Sequence, residues 1–247
     1  MEKEVSKIFG IRAIIEAINA GKTISKVYLQ KGLSGHLFSE LNSLIKKESI
    51  ATSYVPVEKL DRLSKFSNHQ GVVAQISPIE FVDLDELITA TLNKTSSPLF
   101  LLLDRISDVR NFGAIIRTAE CTGVNGIIIP NQGNAPISAD TIKTSAGAAF
   151  KVPICKVDHI KDAIFQFKAA TIQIVAATEK TDNLIYDIDL NVPTAIIMGS
   201  EDRGVHPSIL KMVDKKAKLP LLGEIESLNV SVACGAFLYE ATRQRRS

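Results

Sequence analysis

Three short stretches of this 247-residue chain gather polar side chains where apolar runs end. In "DRISDVRNFGAIIRTAE", Asp104 closes one run, Asn111 and Gly113 open a helical pattern, and Arg117 lies one turn beyond Gly113 on about the same face. In "AIIMGSEDRGV", the apolar stretch runs through Met198 into Gly199, and Glu201 and Gly204 follow. In "LPLLGEIESLNVSVACGAF", Leu219–Leu222 end in glycine, and Glu226, Ser227 and Asn229 stand directly before a small-residue run. Asn, Arg, Glu and Ser side chains bind, orient and neutralise phosphate or hydroxyl oxygens. The set brings no histidine base and no cysteine nucleophile, so it points away from covalent catalysis. It suits a cofactor that carries its own electrophile, with the apolar residues beside the glycines taking an adenine.

Each residue also has an ordinary reading. Asn111 fits a helix N-cap, Gly113 a close packing contact, and Arg117 a solvated helix position. Gly199 allows either a tight turn or the approach of a ligand to the backbone. Ser227 or Asn229 fits the cap of the last helix. The small residues Ser231, Ala233, Cys234, Gly235 and Ala236 then demand a tight core or a helix-to-helix contact. No GxGxxG fingerprint accompanies these glycines, which argues against a dinucleotide oxidoreductase.

The elements that must position these groups fall into two parts. Residues 1–78 alternate a helix through Ile11, Ile14, Ile15 and Ile18, strands in "SKVYLQ", "ATSYVP" and "GVVAQISP", and further short helices. Residues 79–97 fit a bridging helix and a Ser/Pro break between domains. From Pro98 to Ser247 the pattern strengthens. "PLFLLLDRI", "NGIIIPN", "VPICKV", "IQIVAAT" and "TAIIMGS" are buried-strand candidates separated by helical stretches, including "SADTIKTSAGAAF" as one helix. Such alternation predicts an α/β fold with a largely parallel sheet. Ligands of such sheets bind outside the carboxyl ends of the strands, where the three polar clusters fall.

Composition bounds the rest. With 45% hydrophobic and 23% charged residues, the chain suits a soluble globular protein with a sizeable core. No apolar run is long enough for a bilayer, and "MEKEVSKIFG" has no signal-peptide pattern. Cys121, Cys155 and Cys234 are scattered and the four histidines dispersed, which predicts reduced cytoplasmic thiols and no metal. Net charge is only +2, so a nucleic-acid partner would be held by local basic patches; Lys22, Lys26, Lys31, Lys46 and Lys47 are candidates in the first part.

The three clusters, in this order, resemble the motifs of the SpoU (TrmH-type) RNA ribose 2'-O-methyltransferases of the SPOUT superfamily. "NFGAIIRTA", "IIMGSEDRGV" and "LPLLGEIESLNVSVA" carry the resemblance, with "KTSAGAA" between the first two. Val109 stands where the family commonly has proline, and Asp202 where glycine is common. "IFGIRAIIEAI" and "HQGVVAQI" resemble the small L30e-like RNA-binding domain of the RlmB branch, which methylates a guanosine ribose in 23S rRNA. The resemblance implies a deep trefoil knot in the C-terminal domain, S-adenosyl-L-methionine as cofactor and a homodimer with its site at the interface. It implies a catalytic Arg117 supported by Asn111, Glu201, Ser227 and Asn229. The cofactor would lie against Thr178, Met198, Gly199, Leu219 and Leu228. A tRNA ribose is the competing substrate. A non-catalytic RNA-binding protein is the competing class, opposed by the presence of every motif polar residue.

Overall fold

The computed structural model describes residues 7–246. Residues 1–6, part of the stretch read for a signal peptide, lie outside the described residues. The chain forms two compact units, one ending at Glu80 and taking in Pro136–Ala139, the other comprising Phe81–Ala135 and Asp140 onward.

The first unit carries strands β1 (Lys7–Phe9), β2 (Ile24–Leu29), β3 (Thr52–Tyr54) and β4 (Val72–Ile76), in spatial order β1-β4-β2-β3. β4 runs antiparallel to β1 and β2, whereas β3 is parallel to β2. Helices α1 (Ile11–Asn19) and α2 (His36–Lys47) bury Ile14, Ile15, Leu41 and Ile45 against Val27, Leu29, Val72 and Ala74, so one face of the sheet holds the core. Helix α3 (Val57–Leu63) contacts β4 and buries Leu60. β1 was not anticipated, because three residues are too short to show a period.

The second unit is built on six parallel strands: β5 (Leu99–Asp104), β6 (Gly126–Pro130), β7 (Ile154–Val157), β8 (Gln173–Ala177), β9 (Thr194–Gly199) and β10 (Lys215–Ala217). Their spatial order is β10-β8-β9-β5-β6-β7. β5, β6 and β9 are buried at every residue, as their unbroken apolar runs require of strands covered on both faces. On one face Phe100, Leu102, Ile128, Ala195 and Ile197 pack with helices α4 (Leu84–Leu92) and α7 (Ile160–Ala169). The rings of Phe100 and Phe167 lie 4.9 Å apart there. After β9 comes the short helix α8 (Pro207–Leu210); helices α5 (Val109–Cys121) and α9 (Val230–Arg246) pack on each other, and α9 also contacts β9. At the end of α9, Arg245 donates to the carbonyl oxygens of Ser97, Pro98, Leu190 and Val192 at 2.7 to 3.1 Å. This clamps the helix to the chain entering β5 and β9.

Three expectations change. The helix in residues 79–97 is part of the second unit, since Leu84, Leu87 and Ile88 are buried in its core. "SADTIKTSAGAAF" is not one helix: α6 (Ala139–Thr144) stops before Ala146 and Gly147, whose φ values of 51° and 82° are left-handed. Leu219–Leu222 form no strand. The strand there is β10, an edge strand bearing the exposed Lys215, and Leu222 is fully solvent-exposed.

Candidate functional site

The carboxyl ends of β5 and β9 face the starts of α5 and α9. Asp108, not Asn111, caps α5, accepting from the Asn111 backbone N–H at 2.8 Å. Asn111 therefore sits in the first turn with its side chain free for other partners. Its Nδ2 donates to Glu201 Oε1, and its Oδ1 accepts from Asn229 Nδ2 at 3.1 Å. Asn229 Oδ1 in turn accepts from the Ser231 backbone N–H at 2.9 Å, at the start of α9. The cap and the contact are both real and belong to one side chain. Glu201, Asn111 and Asn229 thus form a relay that joins all three polar clusters.

Glycines and one buried carboxylate hold this relay in place. A Cβ on Gly199 would lie 2.0 Å from the Gly204 carbonyl carbon and the Val205 nitrogen. The loop after β9 therefore folds back on Gly199, closed by a 2.8 Å bond from Gly204 N–H to Ser200 O. This is the tight-turn reading of Gly199, and it sets Glu201 at the loop tip. A Cβ on Gly113 would lie 2.5 Å from Thr144 Cβ, so this glycine lets α5 pack against the end of α6. Asp104, almost wholly buried, accepts from His206 N–H at 2.8 Å and from Arg105 Nε at 2.9 Å, tying the end of β5 to the same loop. Sequence reading gave Asp104 only as a strand end; the available signal was a carboxylate closing a continuous apolar run.

A cleft of about 920 Å³ opens beside the relay. Thr178, Met198, Gly199, Glu201, Leu219, Ser227 and Leu228, all named from sequence, line it together with Val230 and Phe237. Asn111 and Asn229 reach it through Glu201. Arg117 does not line it. It is exposed on α5, about 9 Å along the helix axis from Asn111 at ~1.5 Å per residue. Among the described residues its side chain makes no hydrogen bond or ion pair. The basic residues Arg105, Lys180, Arg203 and Lys218 also line the cleft and were not anticipated. Arg203, inside the second cluster, could have been read as one. Burial pushes the Cys155 and Cys234 thiols up to about 12, so neither is a ready nucleophile. Among the described residues no group of three or more His, Cys, Asp or Glu side chains could hold a metal ion, and no helix is long and apolar enough to cross a membrane.

Residues 98–239 match the model of the SpoU rRNA Methylase family, and residues 7–82 match that of the RNA 2'-O ribose methyltransferase substrate-binding domain. The chain belongs to the SpoU rRNA methylase family. YacO of Bacillus subtilis (strain 168), named as a TrmH family tRNA/rRNA methyltransferase, is 32% identical over 99% of this chain and 98% of that protein. A Staphylococcus aureus (strain MSSA476) protein of the same family name is 34% identical over 98% of this chain and 97% of its own. The SpoU methyltransferase AviRb from Streptomyces viridochromogenes, solved with AdoMet, superposes with a TM-score of 0.61 at 26% identity, covering 97% of this chain and 90% of that one. As a SpoU methyltransferase, this chain uses S-adenosylmethionine. The cleft fits that group: Met198, Leu219, Leu228 and Phe237 offer apolar walls for an adenine, and Thr178 and Glu179 offer polar groups for a ribose.

Proposed function

We propose that this SpoU methyltransferase methylates the 2'-hydroxyl of a ribose in RNA, with a guanosine of 23S rRNA as the target. The observation that carries the reading is the Glu201–Asn111–Asn229 relay at the mouth of the cleft. It sets fixed donors and acceptors beside a pocket of cofactor size without a base or nucleophile of the covalent kind. Thr178, Met198, Leu219 and Leu228 would hold S-adenosylmethionine, which would supply an electrophilic methyl group. The chain that holds it, from β9 through β10 to α9, is the segment that would thread the trefoil knot.

The protein's own work is to position the hydroxyl. Asn111 and Glu201 fix each other, and Asn229 fixes Asn111 while starting α9, so the polar groups are set before RNA arrives. Ser227 lies in the cleft wall, within the cofactor loop. Arg117 is exposed and unpaired, ready to meet a phosphate that no protein carboxylate competes for. A guanidinium, which keeps its proton at any working pH, is a poor general base, and its planar fork is suited to clamp the phosphate next to the target ribose. Its charge would matter most as the hydroxyl gives up its proton to that phosphate, the C–O bond forming as the methyl's bond to sulfur breaks.

Because Arg117 stands outside the cleft of its own chain, a homodimer that carries it to a partner's cleft fits this division of labour. The exposed Val232 and Tyr239 on α9, beside its small residues, offer an apolar face for that contact.

A tRNA ribose is the second reading, favoured by the tRNA/rRNA name of the Bacillus relative. Ribose-methylation mapping of rRNA and tRNA from a deletion strain, with and without the gene restored, separates the two. One 23S rRNA guanosine losing and regaining its methyl is expected. A tRNA site behaving so supports the second reading, and no changed site in either RNA contradicts both.

A further inference from the structure

The cleft carries more positive charge than the relay beside it uses. Arg105, Lys180, Arg203 and Lys218 all line it, and they differ in how firmly they are held. Lys218 Nζ is engaged by Asp182 at 3.2 Å. Lys180 and Arg203 are exposed, and among the described residues no hydrogen bond or ion pair fixes either side chain. Arg105 is the exception, with a side chain only 33% exposed.

Its position is fixed from several sides. Arg105 follows β5 at a φ of 66°, a left-handed conformation that residues other than glycine adopt at a cost. The loop after β6 bonds both backbone groups of the next residue: Ile106 N–H donates to Asn134 Oδ1 at 2.9 Å, and Ile106 O accepts from Ala135 N–H at 2.7 Å. A Cβ on Gly133 would lie 3.1 Å from Arg105 Cγ, so the same loop closes over the arginine's stem. Buried Asp104 takes one edge of the guanidinium, accepting from Nε at 2.9 Å and from Nη2 at 3.3 Å. Among the described residues Nη1 has no partner, so the outer edge, Nη1 with the second hydrogen of Nη2, is free. Backbone strain held this firmly in a cleft wall points to a ligand.

Placement says which ligand. β9 lies between β8 and β5, and Gly199 at its end is level with Asp104. Thr178 and Arg105, which follow β8 and β5, therefore flank β9 about 10 Å apart, at ~4.8 Å per strand. Thr178 and Glu179 offer the polar groups for the cofactor's ribose, and the amino-acid tail beyond the sulfur covers a span of that order. That tail ends in a carboxylate, which the free edge of a guanidinium takes with two parallel bonds. We infer that Arg105 binds the carboxylate of S-adenosylmethionine through this outer edge and so fixes the sulfonium between the two ends of the cleft. The inference rests on this cleft being the cofactor site.

The test is calorimetric binding of two ligands to the full chain, S-adenosylmethionine and its decarboxylated form, which lacks only the carboxylate. Wild type should prefer the first by roughly tenfold or more, the scale of a hydrogen bond between charged groups. Arg105→Gln should bind the decarboxylated form within about twofold of wild type and lose most of the preference. Arg105→Lys keeps a charge against Asp104 and protects the fold. Its point charge leaves no planar edge for the ligand, so it should keep no more than about threefold of the preference. Leu228→Asp, in the apolar wall, should weaken both ligands together. Absence of any preference in wild type would overturn the inference. So would a wild-type preference surviving in Arg105→Gln, or in Arg105→Lys should the glutamine variant not fold. Variants that keep the preference and lose affinity for an oligoribonucleotide would overturn it too, and would make Arg105 a phosphate contact. Both ligands binding Leu228→Asp like wild type would remove the cofactor from this cleft, and the inference with it.

Discussion

Asn229 Nδ2 donates to Asn111 Oδ1 at 3.1 Å, across 118 residues of chain, while the Oδ1 of the same amide caps α9. The two halves of this amide can be separated by substitution. Asn229→Asp keeps the capping acceptor, and its charge suits a helix N-terminus, so stability should stay within about 0.5 kcal/mol of wild type. It loses the donor to Asn111. Whichever way the Asn111 amide then turns, one carboxylate of the relay faces its carbonyl oxygen. Methyl transfer should fall at least about tenfold, the scale of a lost positioning bond. Asn229→Ala should lose the cap as well and cost about 1 kcal/mol. Thermal unfolding beside single-turnover transfer reads both.

Arg245 should be structural. Its four bonds to the carbonyl oxygens of Ser97, Pro98, Leu190 and Val192 hold α9 against the chain entering β5 and β9. Arg245→Ala strands the Ser97 and Leu190 carbonyls, while those of Pro98 and Val192 keep bonds from Thr194, and should cost about 3 kcal/mol, since bonds to charged donors exceed neutral ones. Arg245→Lys should recover only part, because a point charge cannot span four acceptors. Denaturant unfolding measures the loss. A midpoint equal to wild type contradicts the clamp.

Glu240 makes stability depend on acid. Hydrogen bonds from Arg243 at 2.8 and 2.9 Å and from Gln244 at 2.8 Å hold its carboxyl below the ordinary value of 4.5. A lowered folded pKa means stability that is complete above about pH 4.5 and lost as pH falls through the folded value. Wild type should therefore exceed Glu240→Gln in stability at neutral pH, with the gap closing below pH 4.5. Unfolding midpoints across a pH series check the sign. A gap that widens in acid contradicts it.

Much of the second unit was legible because its signals are local and repeated. Apolar runs such as Leu99–Leu103 and Ile127–Ile129 have only one use in a domain of this size, as strands buried on both faces. What escaped was set by packing and by edges. Lys215–Ala217 carries two lysines and is a strand only because β8 lies beside it in parallel register. The break at Ala146–Gly147 is a backbone conformation that small residues permit but do not announce. Pro98 reads as a domain boundary, yet a cut there would strip Leu84, Leu87 and Ile88 from the core of the second unit.

The candidate site was legible by type and only partly by role. Glu201, Ser227 and the cofactor-cleft residues share one cleft because each follows an apolar run, and parallel strands bring such ends together. Which residue caps which helix was not legible. Asp108 and Asn111 are both good caps by type, and only the backbone decides that Asp108 takes the position. Nor does helical spacing show that Arg117 stays out of the cleft lining on its own chain.

The most direct test of the central claim is single-turnover transfer from isotopically labelled S-adenosylmethionine to rRNA fragments. The RNA is then digested to nucleosides, and wild type is run beside Arg117→Ala. The label should appear on the ribose of one nucleotide with wild type. Arg117→Ala should bind cofactor normally by calorimetry and transfer roughly a hundredfold more slowly or worse, the scale of a lost positioned charge. Label on a base, or near-normal ribose transfer by the alanine variant, would contradict the account.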